Sequence, residues 1–232
     1  MLNIIYQDDD VLAINKPAGL DVNFIAEKYP QMILAHRLDK DTSGVLLMAK
    51  NPAAYDYLKS QFSASALPRR DLAFGGQQKI KKTYLALVEG MVKEKKGLPA
   101  GRQGRIDLSI GRSKKDFRRR ISVGKKQGKV RQALTLYKVK KRYKEYTLVE
   151  VEPQTGRTHQ IRSHFKAINH PIVCDKLYGT ARSVGKECPF GLKRQFLHAL
   201  SLEFTHPNGS RLKLEADLPE DLERVLRDLQ QD

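Results

Sequence analysis

The sequence lacks the patterns that mark membrane-spanning and exported proteins. No apolar run approaches the roughly 20 residues that a helix needs to cross a bilayer. The N-terminal stretch MLNIIYQDDD has no basic segment followed by an apolar one. We therefore expect a cytoplasmic protein without a membrane span.

Cysteine is scarce, since the 232 residues contain only Cys174 and Cys188. Their spacing fits no common zinc pattern, and disulfide frameworks are typical of exported chains. We expect two ordinary thiols and no disulfide.

Acidic residues are outnumbered: 26 Asp and Glu face 43 Lys and Arg, which gives a net charge of +17. This balance is typical of proteins whose partner is a polyanion, with nucleic acid favoured over an anionic membrane surface. The excess is concentrated between Arg112 and Arg131, where ten basic residues accompany one acid. The segment fits phosphate contacts, but a solvated basic loop explains a single run equally well.

The order of apolar patterns predicts an α+β fold. With 40% hydrophobic residues the chain can bury a core, and without a visible linker we expect one domain over residues 1–232. Alternating runs predict a first hairpin in the opening 20 residues and a later one whose turn is HPNGS. Strict alternation of strands and helices is missing, which favours a mixed, mostly antiparallel central sheet with flanking helices and loops.

Helices are predicted at three places. One begins after Asn51 and ends near Phe62, one lies within 158–169, and one starts at Pro219. Residues 63–76 and 97–104 are rich in Gly, Pro, Ala and Arg without a sustained period, which predicts exposed loop insertions.

Two short segments concentrate chemically useful side chains. HRLDKDTSG, residues 36–44, places two aspartates among turn formers directly before an apolar run, and alone it is most often a turn. TGRTHQIRSHF, residues 155–165, carries Arg157, His159, Arg162 and His164. A zinc site is weakly supported there because the histidines are five apart, and a DNA-reading helix would need a helical bundle around it. A solvated basic face remains open.

Five motifs in order resemble the RluA-type RNA pseudouridine synthases. They are NKPAGL at 15–20, HRLDKDTSGVLLMAK at 36–50, KKTYLALVEG at 81–90, TGRTHQIRSHF with HPIVCDKLYG to 179, and FLHALSLEFTHPNG to 209. Together they span about nine-tenths of the chain. The resemblance implies a pseudouridine synthase-like catalytic domain with an active-site cleft across the sheet.

The resemblance also implies a reaction: uridine within RNA loses its glycosidic bond, the uracil turns, and the sugar is rejoined to a ring carbon. By motif, Asp39 is the catalytic aspartate, Tyr84 packs against the target uracil, and Arg162 pairs with Asp39. An arginine keeps a carboxylate ionised against desolvation, and a flat ring suits a base that must rotate without escaping. Whether Asp39 attacks the sugar, attacks the base or removes a proton stays open.

Further residues are assigned by position in the same motifs. The target nucleotide must leave its stack, and Arg37 matches the family position suited to filling the gap, with a phosphate contact as the equal alternative. His36 and Thr42 would shape the loop, Ile161 would pack beside Tyr84, and Lys16, Lys82 and Arg157 would contact phosphate. No metal or organic cofactor is implied, because isomerisation needs neither a redox change nor an activated water.

Many family members carry a small RNA-binding domain before the catalytic one, whereas this sequence begins at the first hairpin of the catalytic domain. We therefore expect loops of the catalytic domain to select the substrate, ribosomal or transfer RNA. We also expect a monomer. One rival is a noncatalytic RNA-binding or ribosome-assembly protein, which would not need Asp39, Tyr84 and Arg162 together. A weaker rival is a metal-dependent nuclease that uses His36, Asp39 and Asp41.

Overall fold

The computed structural model describes residues 3–64, 80–93, 104–113, 115–123, 130–180 and 187–231. The helices are α1 (Val22–Lys28), α2 (Pro52–Ala64), α3 (Gln160–Ala167) and α4 (Glu220–Gln231). The strands are β1 (Asn3–Gln7), β2 (Val11–Lys16), β3 (Ile33–Leu34), β4 (Ser43–Ala49), β5 (Lys81–Glu89), β6 (Gly104–Asp107), β7 (Ser109–Arg112), β8 (Arg120–Val123), β9 (Leu134–Arg142), β10 (Tyr146–Pro153), β11 (Leu197–Thr205) and β12 (Arg211–Glu215). Within the described ranges, none of the helices is long and apolar enough to cross a membrane.

Internal contacts divide the chain into two compact units. The first comprises Met1–Thr83 with His198–Leu218, and the second comprises Tyr84–Leu197 with Pro219–Asp232. Each unit is therefore built from two separate stretches of chain. The expectation of one domain over 1–232 stays a prediction.

In the first unit the strands follow the order β1, β2, β4, β11, with β3 paired to β4 and β12 paired to β11. The β4–β11 pairing is parallel, and the pairings β1–β2, β2–β4, β3–β4 and β11–β12 are antiparallel. Both faces of β4 are buried, which explains why its sequence is an unbroken apolar run rather than an alternating one.

The core of the first unit lies between the sheet and α2. It is formed by alternate residues of β2 and β4 with Ala54 and Leu58 of α2 and Leu202 and Phe204 of β11. Asn51 begins the helix because its side-chain oxygen accepts the backbone N–H of Ala54 at 2.8 Å. Strand β4, which leads into α2, is buried along its whole length.

In the second unit the strands follow the order β5, β10, β9, β6, all antiparallel, and β7 and β8 form a separate antiparallel hairpin. Helix α3 contacts β8, β9 and β10. Helix α4 is fixed by Arg194, whose Nε and Nη2 donate to the two carboxylate oxygens of Asp221 at 2.7 and 2.8 Å.

The predicted fold class is confirmed: an α+β protein with mixed, mostly antiparallel strands. The first hairpin, the HPNGS turn and all three predicted helices are present, with α2 ending at Ala64 rather than near Phe62. Helix α1 and the strands β6 to β8 were not predicted. Of the predicted insertions, 63–76 lies outside the described residues after the end of α2, and 97–104 lies outside them except for Gly104, which begins β6.

The prediction of two ordinary thiols is wrong, because Cys174 and Cys188 form a disulfide. Their Cα atoms are 5.4 Å apart, within the range that a disulfide spans. Cys174 adopts a left-handed backbone with φ 60°, which turns the chain directly after Val173. The expectation was drawn from the absence of an export pattern, which says nothing about which thiols the fold brings together.

Candidate active site

Asp39 lies in the loop between β3 and β4, and the backbone of this loop is fixed at several points. The carbonyl of Asp39 accepts the N–H of Thr42 at 3.0 Å. The carbonyl of Lys40 accepts the N–H of Gly19 at 3.0 Å and the ammonium of Lys16 at 3.0 Å. The segments NKPAGL and HRLDKDTSG are therefore in direct contact, and the backbone carbonyls of Asp39 and Lys40 are held.

Lys16 has a different role from the predicted phosphate contact. Its side chain is fully buried, and its ammonium donates to the carbonyls of Pro17, Leu20 and Lys40 at 2.8, 2.9 and 3.0 Å. An ammonium has three N–H donors, and these carbonyls use all three. We therefore correct the expectation: Lys16 positions the loop that carries Asp39.

The residues after Asp39 fix the start of β4. The hydroxyl of buried Ser43 lies 2.9 Å from His198 Nδ1, and His198 Nε2 lies 3.1 Å from the carbonyl of Ala216. Gly44 has φ 115°, and a Cβ there would overlap the backbone of Ala199. Because β4 and β11 run parallel and closest at this point, only glycine fits.

His36 contributes to the same loop as a partly buried structural group. Its Nε2 accepts the backbone N–H of Leu47 at 3.0 Å, and its ring stacks on Phe62 with centroids 5.0 Å apart. Burial, with a smaller effect from the charge of Lys82, lowers the pKa of His36 to about 3. The imidazole is therefore neutral at physiological pH, as its accepted hydrogen bond requires.

Three other candidates of the first unit differ in exposure. Thr42 and Lys82 are buried, whereas Arg37 is exposed.

In the second unit, Tyr84 lies on β5 opposite Val151 of β10 and is half-buried. Ile161 and Arg162 lie in the first turn of α3 and are both buried. The helix begins immediately after His159, whose left-handed φ of 53° turns the chain out of the preceding loop.

Arg162 forms a buried two-point ion pair with Asp175. Its Nε donates to Asp175 Oδ2 at 2.7 Å and its Nη2 to Oδ1 at 2.9 Å, and the carboxylate side chain has no exposed surface. Oδ1 also accepts the backbone N–H groups of Leu177 and Tyr178 at 2.9 and 3.0 Å. Two of the five guanidinium N–H donors are thus committed to one fixed carboxylate, which sets the plane and direction of the group.

Tyr178 extends this network. Its ring lies 5.1 Å below the guanidinium carbon of Arg162, a cation–π contact. Its hydroxyl accepts the backbone N–H of Arg120 at 2.6 Å and lies 3.0 Å from His159 Nδ1. The tyrosine thus joins α3 to the first residue of β8.

The far side of α3 is fixed by buried polar contacts. Gln160 donates to the carbonyl of Leu134 and to the Thr135 hydroxyl, both at 3.0 Å. His164 Nδ1 lies 2.9 Å from the same hydroxyl, and its Nε2 lies 3.0 Å from the carbonyl of Leu108. Since a carbonyl only accepts, Nε2 carries the proton, and burial lowers the pKa of His164 to about 4.

Arg157 lies just before α3 with its Nε donating to the carbonyl of Gln132 at 3.3 Å. Burial, and then the charge of Arg131, lowers the pKa of Arg157. Two guanidinium groups close enough to repel each other are a suitable place for a phosphate.

The candidates are distributed over both units. Lys16, His36, Arg37, Asp39, Thr42 and Lys82 lie in the first, and Tyr84, Arg157, Ile161 and Arg162 lie in the second. Sequence reasoning missed Asp175. A signal was present, because Asp175 is the only acid between Glu152 and Glu187 and so the only local partner for the cations of TGRTHQIRSHF. Within the described ranges, no group of three or more His, Cys, Asp or Glu side chains is placed to hold a metal ion.

Comparisons with known proteins agree on one family. Residues 10–167 match the family model described as RNA pseudouridylate synthase. "Ribosomal large subunit pseudouridine synthase D" of Xanthomonas campestris is 37% identical over 100% of this chain and 70% of its own length. "Ribosomal large subunit pseudouridine synthase C" of Vibrio parahaemolyticus is 32% identical over 96% of this chain and 68% of its own. The solved structure "Human RNA Pseudouridylate Synthase Domain Containing 1" shares the fold with a TM-score of 0.74 at 24% identity, over 100% of this chain and 96% of that one.

The family match covers more than half of the chain, and the curated relatives align along nearly all of it. The chain therefore belongs to the RluA-type RNA pseudouridine synthases, enzymes that isomerise uridine to pseudouridine in RNA.

Proposed function

We propose that this enzyme modifies specific uridines in ribosomal RNA, with transfer RNA as the second substrate class. The main support for the proposal is the extent of the alignment: relatives named for the large ribosomal subunit align with 96–100% of this chain. The net charge of +17 supports a large, structured polyanion as the substrate. The proposal includes a cytoplasmic enzyme that acts as a monomer through one catalytic domain.

Asp39 is the proposed catalytic aspartate. Its support is the motif and the way the chain holds the loop: Lys16, Gly19 and Thr42 fix the backbone carbonyls of Asp39 and of the next residue, Lys40. A catalytic group held in this way needs no reorganisation at the moment of reaction. The carboxylate acts only in its ionised form, so it requires a neighbouring cation once RNA excludes water.

Arg162 is the proposed cation. Asp175 fixes the Nε edge of its guanidinium and so sets the direction in which the rest of the group faces. The pairing of Asp39 with Arg162 rests on the motif resemblance. Asp175 is then the residue that orients Arg162, and Tyr178 supports the guanidinium from below.

Tyr84 and Ile161 are the proposed contacts to the uracil. A half-buried tyrosine offers a flat face against which a detached base can turn, and a buried isoleucine supplies an apolar neighbour. Arg37 is the proposed group that fills the gap left by the everted nucleotide, and its exposure suits that role. Lys82 and Arg157 are proposed phosphate contacts, and His36 and Thr42 are proposed to hold the shape of the Asp39 loop.

The test uses bulk RNA from a strain that lacks the protein. The purified enzyme is incubated with this RNA, and pseudouridines are mapped at single-nucleotide resolution. We expect new pseudouridine at one or a few positions of large-subunit ribosomal RNA. Modification of transfer RNA alone would replace the leading substrate by the second one, and unchanged uridines in an RNA that still binds would contradict the proposed activity.

A further inference from the structure

The β7–β8 hairpin carries the first half of the basic segment between Arg112 and Arg131. Its strands pair from Ser109 opposite Val123 to Arg112 opposite Arg120. We call Ser113 and residues 115–119 the hairpin tip. None of the proposed catalytic residues lies in this hairpin.

The backbone of the hairpin tip is defined by its own hydrogen bonds. The Ser113 hydroxyl accepts the N–H groups of Lys115 and Asp116, each at 3.2 Å. The Ser113 N–H donates to the carbonyl of Arg119 at 3.1 Å, and the Arg119 N–H donates to that of Asp116 at 3.0 Å. The tip is therefore a built turn rather than a loose connection.

On this ordered turn Phe117 has 77% of its surface exposed. Burying a phenylalanine side chain lowers the free energy of a folded chain. A turn that holds the ring in water does not gain this free energy within the described part of the chain. The ring is thus available to a partner.

The side chains around the ring are cationic and partly fixed. Asp116 accepts Arg118 Nε at 3.1 Å and Nη2 at 3.0 Å, so the plane of that guanidinium is set while 68% of the side chain stays exposed. Around one acid, the described residues of the hairpin place Arg112, Lys115, Arg118, Arg119 and Arg120. A fixed guanidinium and an exposed aromatic ring on consecutive residues of one turn supply groups that bind nucleic-acid bases by stacking and phosphates by hydrogen bonds.

We propose that the hairpin tip binds an unpaired nucleotide of the RNA substrate, with the base stacked on Phe117 and the flanking phosphates bound by Arg118 and Arg119. The choice of RNA rests on the proposed function. The charge supports this choice, because an apolar protein surface that covered the ring would also have to remove water from five cations. Duplex RNA does not account for Phe117, since paired bases offer no face to a side chain at the surface.

The hairpin is also joined to the proposed site in its own unit. The N–H of Arg120, the first residue of β8, donates to the Tyr178 hydroxyl at 2.6 Å, and the ring of Tyr178 contacts Arg162. A nucleotide bound at the tip therefore has a fixed position relative to Arg162. The substrate is then an RNA with two accessible nucleotides, the target uridine and a second one that reaches the hairpin tip.

The test measures affinity for a short oligouridine and for a duplex RNA of equal length, at one salt concentration. Phe117→Ala should weaken oligouridine binding roughly 10-fold and leave duplex binding unchanged. Phe117→Tyr should bind as the wild type does. Ile121→Ala is the matched control, since Ile121 is an exposed apolar residue on the adjacent strand with 41% exposure, and it should change neither affinity.

A second readout is direct: an oligouridine that carries 5-bromouridine should crosslink to Phe117 under ultraviolet light, as identified by mass spectrometry. Equal oligouridine affinity of Phe117→Ala and wild type would overturn the proposal, as would a crosslink elsewhere only. The two proposals fail separately. If wild-type enzyme forms no pseudouridine but Phe117→Ala loses oligouridine affinity, the proposed function fails and the tip remains a nucleotide site.

Discussion

Arg162 and Asp175 form an ion pair in which both carboxylate oxygens accept from one guanidinium and no part of the carboxylate side chain reaches the surface. They are only 13 residues apart, one in the first turn of α3 and the other in the turn after Ile172. A buried pair of this kind adds little net stability, but removing one partner leaves an uncompensated charge. Its value lies in fixing the direction of Arg162.

We predict that Asp175→Asn lowers kcat much more than it changes KM. The neutral amide no longer fixes the guanidinium, so the proposed partner of Asp39 is misdirected in the reacting complex, whereas RNA binding depends on other groups and is retained. The variant should also lose roughly 3–5 kcal/mol of unfolding free energy. Steady-state kinetics and chemical denaturation measure the two effects.

The matched control for this prediction is Asp221→Asn, which removes the similar Arg194–Asp221 pair of the same unit. It should cost some stability and leave kcat and KM near the wild-type values. Asp175→Glu should restore part of the rate because it restores the charge. A wild-type kcat in Asp175→Asn would reduce Asp175 to a structural residue.

We predict that the enzyme loses stability as the pH falls below about 6.5, because two histidines, the partly buried His36 and the buried His164, are neutral in the folded state. The folded pKa values of about 3 for His36 and about 4 for His164 lie below the ordinary 6.5, so the unfolded chain binds more protons. Stability is therefore complete above pH 6.5 and is lost as the pH falls toward 4. With two extra protons, the unfolding free energy falls by at most about 2.7 kcal/mol per pH unit.

Denaturant titrations at several pH values between 4 and 7 measure this slope. His36→Gln and His164→Asn should each lower the overall stability. Each should also reduce by about one the number of protons taken up on unfolding, and so reduce the slope of the unfolding free energy against pH. A double variant with the full wild-type slope would show that other groups are responsible.

We predict that Gly44→Ala costs about 3 kcal/mol of unfolding free energy, since the new methyl group meets the Ala199 backbone at a positive φ. Gly19→Ala is the control: Gly19 has a similar φ of 84° but nothing within 4 Å of the added Cβ. It should cost only the backbone strain, about 1 kcal/mol. Equal losses of unfolding free energy in the two variants would show that the backbone of β11 at Ala199 shifts to make room for the methyl group at little cost. Thermal or denaturant unfolding of the two variants decides between these results.

Much of the fold follows from local sequence. Asn51 and Pro52 mark the start of α2, and HPNGS marks a hairpin, because caps and turns depend on neighbouring residues. Helix α1 has seven residues and only Val22 and Ile25 buried, too short an apolar pattern to show a helical period. The β7–β8 hairpin was not predicted for a different reason. Its arginines form a run of charge in the sequence that obscures the short strands, although these arginines lie at the strand ends and in the turn.

The candidate site was likewise predicted only in part. Motifs predict roles for Asp39, Tyr84 and Arg162, but they do not show which groups hold each side chain in place. Lys16 looked like a phosphate ligand because lysines are mostly exposed, and only the structure shows its ammonium turned onto three carbonyls. Asp175 is the only acid between Glu152 and Glu187, but the sequence does not show that its carboxylate contacts Arg162, nor that the fold brings Cys174 and Cys188 together.

The central claim is that the Asp39 carboxylate performs the chemistry while other groups bind the RNA. The direct measurement is pseudouridine formation and RNA affinity for Asp39→Asn beside Asp41→Asn, a second aspartate in the same loop. Asp39→Asn should bind RNA with wild-type affinity and lose at least about 100-fold in turnover, and Asp41→Asn should retain turnover. Turnover by Asp39→Asn at the wild-type rate, or loss of binding equal to its loss of activity, would contradict the account.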